Sequence, residues 1–230
     1  MASTSTLYGG ESLDYLLDVL TVLYKDTKHV LFLPYARPGG ISHEQYTERI
    51  KLPFKKIGKT IQGIQDFGTA EEAIKQAKGI YVGGGNTFVL VNELYKNKCI
   101  NGIKNAVKSG IPYLGTSAGS NICGLSMCTS NDMPIVYPPS FKTLGLVPFN
   151  INPHYLDPIK GSTHMGETTE MRINEFHEFN TQPVVGLREG SYIEVLNESV
   201  TLKGHLNARI FSYGIDPYEV ETNTNLNLLK

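Results

Sequence analysis

No stretch of the 230 residues is apolar for anything near the length of a membrane-spanning helix. The first six residues, Met-Ala-Ser-Thr-Ser-Thr, are polar and carry no apolar signal core. These absences predict a chain that avoids the membrane and the secretory route, with the cytoplasm as its expected location. Cysteine is scarce. Cys99, Cys123 and Cys128 are an odd number, and the last two have no second pair to complete a zinc site, so all three are expected to be reduced thiols. Charge of one sign is lacking too: 21 Lys and Arg stand against 22 Asp and Glu, a net charge of −1, with no basic block of the kind that follows phosphates. That balance argues against nucleic acid or an anionic membrane surface as a partner. H-E-x-x-H and other zinc spacings are absent, so neither metal nor cofactor is expected. There is no internal repeat and no linker.

What is present is ordinary for a protein that buries a core: 40% hydrophobic and 19% charged residues, expected to form one domain over 1–230. Leu13, Leu16, Leu17, Leu20 and Leu23 fall at helical spacing. His29 to Ala36 is a short apolar run closed by Pro and Gly, as a buried parallel strand would be. Ser42 with Gln45, and Thr69 with Glu72, carry the capping-box spacing for helices toward Gly58 and Lys78. Strands are predicted at 60–66, 79–83 and 111–115, and helices at 86–95 and 101–109. Short apolar strands alternating with helices imply an α/β fold, a mostly parallel sheet with helices on both faces. After residue 125 the six prolines from Pro134 to Pro158 mark a loop-rich region, the natural source of groups that project into a site. A helix is predicted over 168–179. From Pro183 onward PVVGL, YIEVL, SVTLKG and RIFSYG read as short strands of an antiparallel extension.

Gly115-Thr116-Ser117-Ala118-Gly119 fits G-x-S-x-G between a predicted strand and a predicted helix, the context that motif needs. Small residues let the chain reverse tightly around the serine. The Ala118 N–H and the helix dipole then face a developing oxyanion. The bland alternative is a Gly-rich turn without chemistry. Gly83-Gly84-Gly85-Asn86-Thr87, also between strand and helix, lacks the Walker lysine and the dinucleotide spacing; Gly84 or Gly85 is placed to donate a second oxyanion N–H, unless the glycines serve only a tight turn. A serine needs a base, and His154 is favoured because it lies in the loop-rich half. His29 begins a strand, His43 starts a helix, and His177 is expected on a solvated helix face. For a carboxylate to orient the base, Asp132 and Glu189 both lie near element ends, and residue physics does not choose between them.

VGGGNTF (82–88), GTSAGSN (115–121), TSNDMPIV (129–136) and INPHY (151–155), extended by GET (166–168) and REGSYI (188–193), resemble in order and spacing the peptidase E family of α-aspartyl dipeptidases. The resemblance covers nearly the whole chain. It implies an α/β fold related to class I glutamine amidotransferases, with Ser117 as nucleophile and His154 as base. It also implies a small-peptide substrate, a dipeptide with a free N-terminal aspartate. Asp132 is taken from it as the orienting carboxylate. Gly85, Ala118, Arg172 and Glu189 are expected to bind substrate, with Arg172 receiving the β-carboxylate and Arg188 a weaker candidate for that task. A monomer or homodimer is expected. Two other functions fit the residues: an α/β-hydrolase-type esterase or amidase, and a silent small-anion binding module built on the GGGN loop. Family members also begin with an apolar strand before the segment matching Ser3 to Leu7, whereas only Met1 and Ala2 precede it here. A missing or very short strand is therefore expected, with the apolar face of the first helix exposed and stability more affected than chemistry.

Overall fold

The fold is given by a computed structural model that describes residues 1–163 and 165–229. Four short strands, β1 (His29–Leu33), β2 (Thr60–Gly63), β3 (Ile80–Val82) and β4 (Tyr113–Gly115), form a parallel sheet in the order β2-β1-β3-β4. The helices α1 (Leu17–Leu23), α2 (His43–Lys56), α3 (Ala70–Gln76), α4 (Thr87–Lys96) and α5 (Cys99–Lys108) connect and cover it. Side chains alternate along each strand, and both faces are buried. On one face Leu31, Leu33, Ile80 and Val82 pack with Ile74, Leu90, Leu94 and Ile103 of α3 to α5. On the other, Val30, Phe32 and Tyr81 pack with Tyr46, Ile50 and Phe54 of α2 and with Leu13, Leu16 and Leu20.

Caps start the helices where the sequence places them. Ser42 and Gln45 exchange bonds as a complete capping box on α2, and Thr69 accepts from Glu72 N on α3. The register aligns Leu33, Val82 and Gly115 across the sheet, so the loops after β1, β3 and β4 open at one carboxyl-end edge, where such sheets build their sites.

The four-residue helix α6 (Ala118–Asn121) follows β4, and a second sheet then begins. Its strands are β5 (Asn150–Pro153), β6 (Val184–Leu187), β9 (Ala208–Ser212) and β10 (Ile215–Val220), in the order β10-β9-β6-β5. Helix α7 (Thr169–His177) precedes β6, and β7 (Ser191–Leu196) pairs with β8 (Ser199–Gly204) as a hairpin. Two expectations change here. The first three residues of INPHY, Ile151 to Pro153, lie on a strand, β5, where the prolines suggested a loop-rich region. PVVGL runs parallel to β5, and only its other neighbour, β9, is antiparallel.

The expected exposure of the first helix is also corrected. Leu13, Leu16 and Leu20 are fully buried, because Met1 to Ser3 lies between the end of β4 and β7, with Ala2 bridging Thr116 in parallel and Tyr192 in antiparallel fashion. His177 is buried as well, its Nδ1 3.1 Å from the Asn180 carbonyl oxygen. Among the described residues no helix is long and apolar enough to cross a membrane.

Candidate active site

Ser117 sits at the turn from β4 into α6 with φ 54° and ψ −115°, a conformation that costs a non-glycine residue roughly 1–3 kcal/mol and persists only where its surroundings fix it. Here they do. The Ser117 N–H donates to the Ala2 carbonyl at 3.1 Å, and the Ser117 carbonyl accepts from Ser120 N and Asn121 N at 2.9 Å each. The Ser120 hydroxyl lies 2.7 Å from Ala2 O and 2.8 Å from Gly115 O, tying both sides of the turn together. The motif's glycines are demanded by close approach. A Cβ on Gly115 would stand 2.2 Å from Gly119 O, and one on Gly119 would stand 2.2 Å from Val82 O. The bland reading of this turn as mere Gly-rich backbone does not account for what faces the hydroxyl.

His154 does. Its Nε2 lies 2.9 Å from Ser117 Oγ, and its Nδ1 lies 2.6 Å from Glu189 Oε1. A carboxylate can only accept, so the Nδ1 position carries the proton and Nε2 is left to accept from the serine hydroxyl. The imidazole and the Glu189 carboxylate are 38% and 47% exposed, open enough for a ligand to reach them. His154 follows the last residue of β5 and itself has φ 55°. Its approach to the elbow is fixed by amides: Asn121 Nδ2 donates to Ile151 O at 2.6 Å, and Asn131 Nδ2 to Pro153 O at 2.9 Å.

Glu189 projects from the turn between β6 and β7, and its neighbour Arg188 anchors that turn. All five Arg188 N–H donors are engaged, with bidentate pairs to Asp157 at 2.6–2.7 Å and to Glu219 at 2.9 Å, and a bond to Asn207 O at 2.7 Å. The guanidinium, 15% exposed, also stacks 5.4 Å over the Tyr155 ring and holds the Asp157 carboxyl below its ordinary range. Arg188 is thus occupied, and its side chain has no donor left for a substrate.

The geometry places both carboxylates differently from expectation. Asp132 does not reach His154. Its Oδ2 accepts from Thr87 N at 2.8 Å, Thr87 Oγ1 at 2.7 Å and Ser130 Oγ at 2.9 Å. A carboxylate there caps the first turn of α4, where the helix dipole favours negative charge. Asn86 adds a second tie across the same two loops, its Nδ2 donating to Met133 O at 2.9 Å while its Oδ1 caps Val89 N. Asp132 therefore pins the GGGN loop. Glu189, expected among the substrate-binding groups, instead holds the histidine.

Gly84 is the residue of that loop pressed against Ser117: a Cβ built there would lie 2.9 Å from Ser117 Cβ. Gly85, with φ 144°, is packed on the Ala36 carbonyl, where a Cβ would come within 2.2 Å of the oxygen. In the elbow the Ser117, Gly119 and Ser120 amides donate to backbone carbonyls, and in the loop those of Gly83 and Asn86 do so. Among the described residues the amides of Ala118, Gly84 and Gly85 meet no such acceptor. Arg172 lies on α7 with its side chain 63% exposed, and its Nε is 3.7 Å from Glu167 Oε2. Among the described residues it makes no hydrogen bond or ion pair with Ser117, His154 or Glu189. Among the described residues no three His, Cys, Asp or Glu side chains gather as metal ligands would.

The structure therefore brings together Ser117, His154 and Glu189, with Ala118 and the Gly84–Gly85 loop beside them. Sequence reasoning missed the Arg188 clamp; the charge of Arg188 next to Glu189 was visible, but its partners come from distant segments.

The comparisons with known proteins agree along the chain. The profile of peptidase family S51 matches residues 1–203. Peptidase E of Streptomyces coelicolor is 43% identical over 229 residues, covering 100% of this chain and 93% of that protein. A Drosophila melanogaster protein named a probable alpha-aspartyl dipeptidase is 44% identical over 214 residues, 92% of this chain and 88% of that one. Among solved structures, a peptidase from an acI-B1 actinobacterium superposes with a TM-score of 0.70 at 15% identity, over 97% of this chain and 94% of that one, which supports the fold alone. With its family profile matched over most of its length and relatives above 40% identity along it, the chain belongs to peptidase family S51.

Proposed function

We propose that the chain hydrolyses dipeptides with an unblocked N-terminal aspartate, through an aspartyl ester on Ser117. The observation that carries this reading is His154 bridging Ser117 Oγ and Glu189 Oε1. His154 Nε2 takes the hydroxyl proton as Ser117 Oγ attacks the peptide carbonyl carbon, while Glu189 keeps the Nδ1–H tautomer and stabilises the imidazolium. The oxyanion forms against the Ala118 N–H and the amides of the Gly84–Gly85 loop. Collapse of the tetrahedral species breaks the C–N bond, and His154 returns its proton to the departing amine. Water then enters, gives a proton to His154, and attacks the ester; Ser117 leaves with that proton, freeing aspartate.

Asp132 acts on the loop rather than on the base. Arg172 is the proposed partner of the substrate β-carboxylate: its long, exposed contact with Glu167 is one a substrate carboxylate can replace. A charge-assisted bond of this kind is worth about 1.5–3 kcal/mol, so Arg172→Ala should lower kcat/KM for Asp-Leu by tens to about a hundred-fold. The names of the Streptomyces and Drosophila relatives support the substrate class. The three free cysteines support the cytoplasm as the place of action, and a monomer or homodimer as the working form accords with a site assembled within one chain.

The test is hydrolysis of Asp-Leu, Glu-Leu, Asn-Leu and Ala-Leu by the purified chain and by Ser117→Ala. Cleavage confined to Asp-Leu and abolished in the variant is the expected result. Equal cleavage of Asn-Leu would sink the β-carboxylate reading, and cleavage that survives Ser117→Ala would sink the nucleophile.

A further inference from the structure

Ser3 is wholly buried, yet its three polar contacts all go to the machinery just described. Its Oγ accepts from His154 N at 2.8 Å and donates to Leu187 O at 2.7 Å, and its own N–H donates to Ser191 O at 3.1 Å. Leu187 and Ser191 stand two residues before and two residues after Glu189, so Ser3 grips both ends of the turn that carries the carboxylate. The same side chain holds the backbone of the base. The preceding residue completes the set, because the Ala2 carbonyl accepts from Ser117 N. Two consecutive residues thus touch the backbone of all three catalytic segments, each of which comes from a different part of the chain.

We propose that Ser3 is a positioning residue for the hydrolysis, its hydroxyl setting the distance between His154 and Glu189 by joining the end of β5 to the end of β6. The inference rests on the reading of Ser117, His154 and Glu189 as one catalytic unit. The need for such a device is visible in the backbone. His154 is a non-glycine residue at φ 55°, just past the last paired residue of β5, where Pro153 faces Leu187. Beyond that pair the ladder no longer dictates where the chain goes, and a residue in the left-handed region relaxes unless something holds it. The Ser3 hydroxyl supplies the acceptor for its N–H. Its proton goes to Leu187 O, which also accepts from Tyr155 N at 3.2 Å. Alanine at position 3 leaves the half-buried His154 N–H without its acceptor and Leu187 O with a single donor. The imidazole then loses its fixed line to both Ser117 Oγ and Glu189 Oε1, and small misplacements of a base cost up to about 10²-fold in rate.

The experiment compares wild type, Ser3→Ala, Ser3→Cys and Thr47→Val. Thr47 is the control, since it too is a buried hydroxyl that donates to a carbonyl (His43 O, 2.8 Å) and accepts from an N–H (Gln65 Nε2, 3.1 Å), but its bonds go to α2 and Gln65 and to none of Ser117, His154 and Glu189. Two rates are read: kcat and KM on Asp-Leu, and labelling of Ser117 by an alkyl fluorophosphonate, which reports nucleophile activation whatever peptide is preferred. Ser3→Ala should lower kcat and the labelling rate together by about 10- to 100-fold with KM within about twofold. Ser3→Cys should fall between, because a thiol is a weak donor and a weak acceptor. Thr47→Val should lower the melting temperature about as much as Ser3→Ala and leave both rates unchanged.

A folded Ser3→Ala that labels within about twofold of wild type overturns the proposal, as does a Thr47→Val that loses as much rate. If Ser3→Ala does not fold, Ser3→Cys labelling at the wild-type rate overturns it. A wild type that labels normally but leaves Asp-Leu intact condemns the substrate assignment, and the labelling series still decides the role of Ser3. A wild type that does not label removes the catalytic unit, and this inference with it.

Discussion

Replacing Glu189 by Gln changes one atom of the side chain and removes the charge that faces His154. The Glu189 carboxylate lies 2.6 Å from Nδ1 and can only accept, which fixes the proton on Nδ1. A glutamine can turn its NH2 toward Nδ1, and the imidazole then carries its proton on Nε2, where it cannot accept from Ser117 Oγ. In the well-studied serine triad the same change costs about 10⁴ in turnover, or about 5.4 kcal/mol of transition-state stabilisation. Glu189 is 47% exposed, so water can take over part of its work, and a loss of about 10²–10⁴ is expected. Asp132→Asn sets the contrast. Its amide oxygen can still accept from Thr87 N, and what goes is the charge-assisted share of the three bonds to Thr87 and Ser130. That share is about 1–2 kcal/mol of stability. Because the loop it pins carries the proposed oxyanion amides, a rate loss of about tenfold should follow. The assay is kcat on Asp-Leu at matched folded fraction, with thermal unfolding alongside. Asp132→Asn losing as much turnover as Glu189→Gln, with its stability unchanged, would refute the assignment of the two carboxylates.

Two other outcomes follow from the packing. Gly119→Ala puts a methyl 2.2 Å from the Val82 carbonyl oxygen, a backbone atom that cannot step aside; a stability loss of about 3 kcal/mol or more is expected in urea unfolding, with activity lost in whatever folds. Cys99 and Cys123 are buried, their thiols pushed up by burial to about 12 and about 11, whereas Cys128 is exposed. A thiol reagent at pH 8 should therefore label one cysteine per native chain and all three after denaturation. Rapid native labelling of a second thiol would contradict the packing of α5 and α6.

The parallel sheet was legible because its signals are local. Capping at Ser42 and Thr69 and the apolar runs at 29–33, 80–82 and 113–115 lie within a few residues of the elements they specify. The elbow was legible for the same reason: G-x-S-x-G states a close approach that only small residues permit. The second sheet was harder. β5 is four residues with a proline and two asparagines, and what makes it a strand is satisfied from elsewhere. Asn150 Oδ1 accepts from Leu125 N and Ser126 N, and Asn152 Nδ2 donates to Thr129 O and Asn131 Oδ1. No periodicity records such partners. The carboxylates failed in the same way. Asp132 and Glu189 are equivalent as residues near element ends, and only the tertiary fold shows that one meets the Thr87 amide and the other an imidazole. The N-terminal residues were equally illegible: Ala2 and Ser3 bond to Ser117 N, His154 N, Leu187 O and Ser191 O, partners that no local pattern records.

The order of the triad along the chain has a structural consequence. His154 and Glu189, the proposed base and orienting carboxylate, leave adjacent parallel strands: β5 and β6 pair Pro153 with Leu187, and the two residues follow one and two positions later. Parallel neighbours deliver both groups to the same edge, and the nucleophile reaches that edge from the carboxyl end of β4 in the other sheet. A register slip of one residue between β5 and β6 would shift one partner by about 3.3 Å and turn the slipped strand's side chains to the opposite face, so the 2.6 Å contact tolerates no slip. Four residue pairs are a short ladder for that duty. The five-donor anchor of Arg188 beside Glu189, the Asn121 and Asn131 amides on β5, and the Ser3 hydroxyl across the gap are the ties that lengthen it.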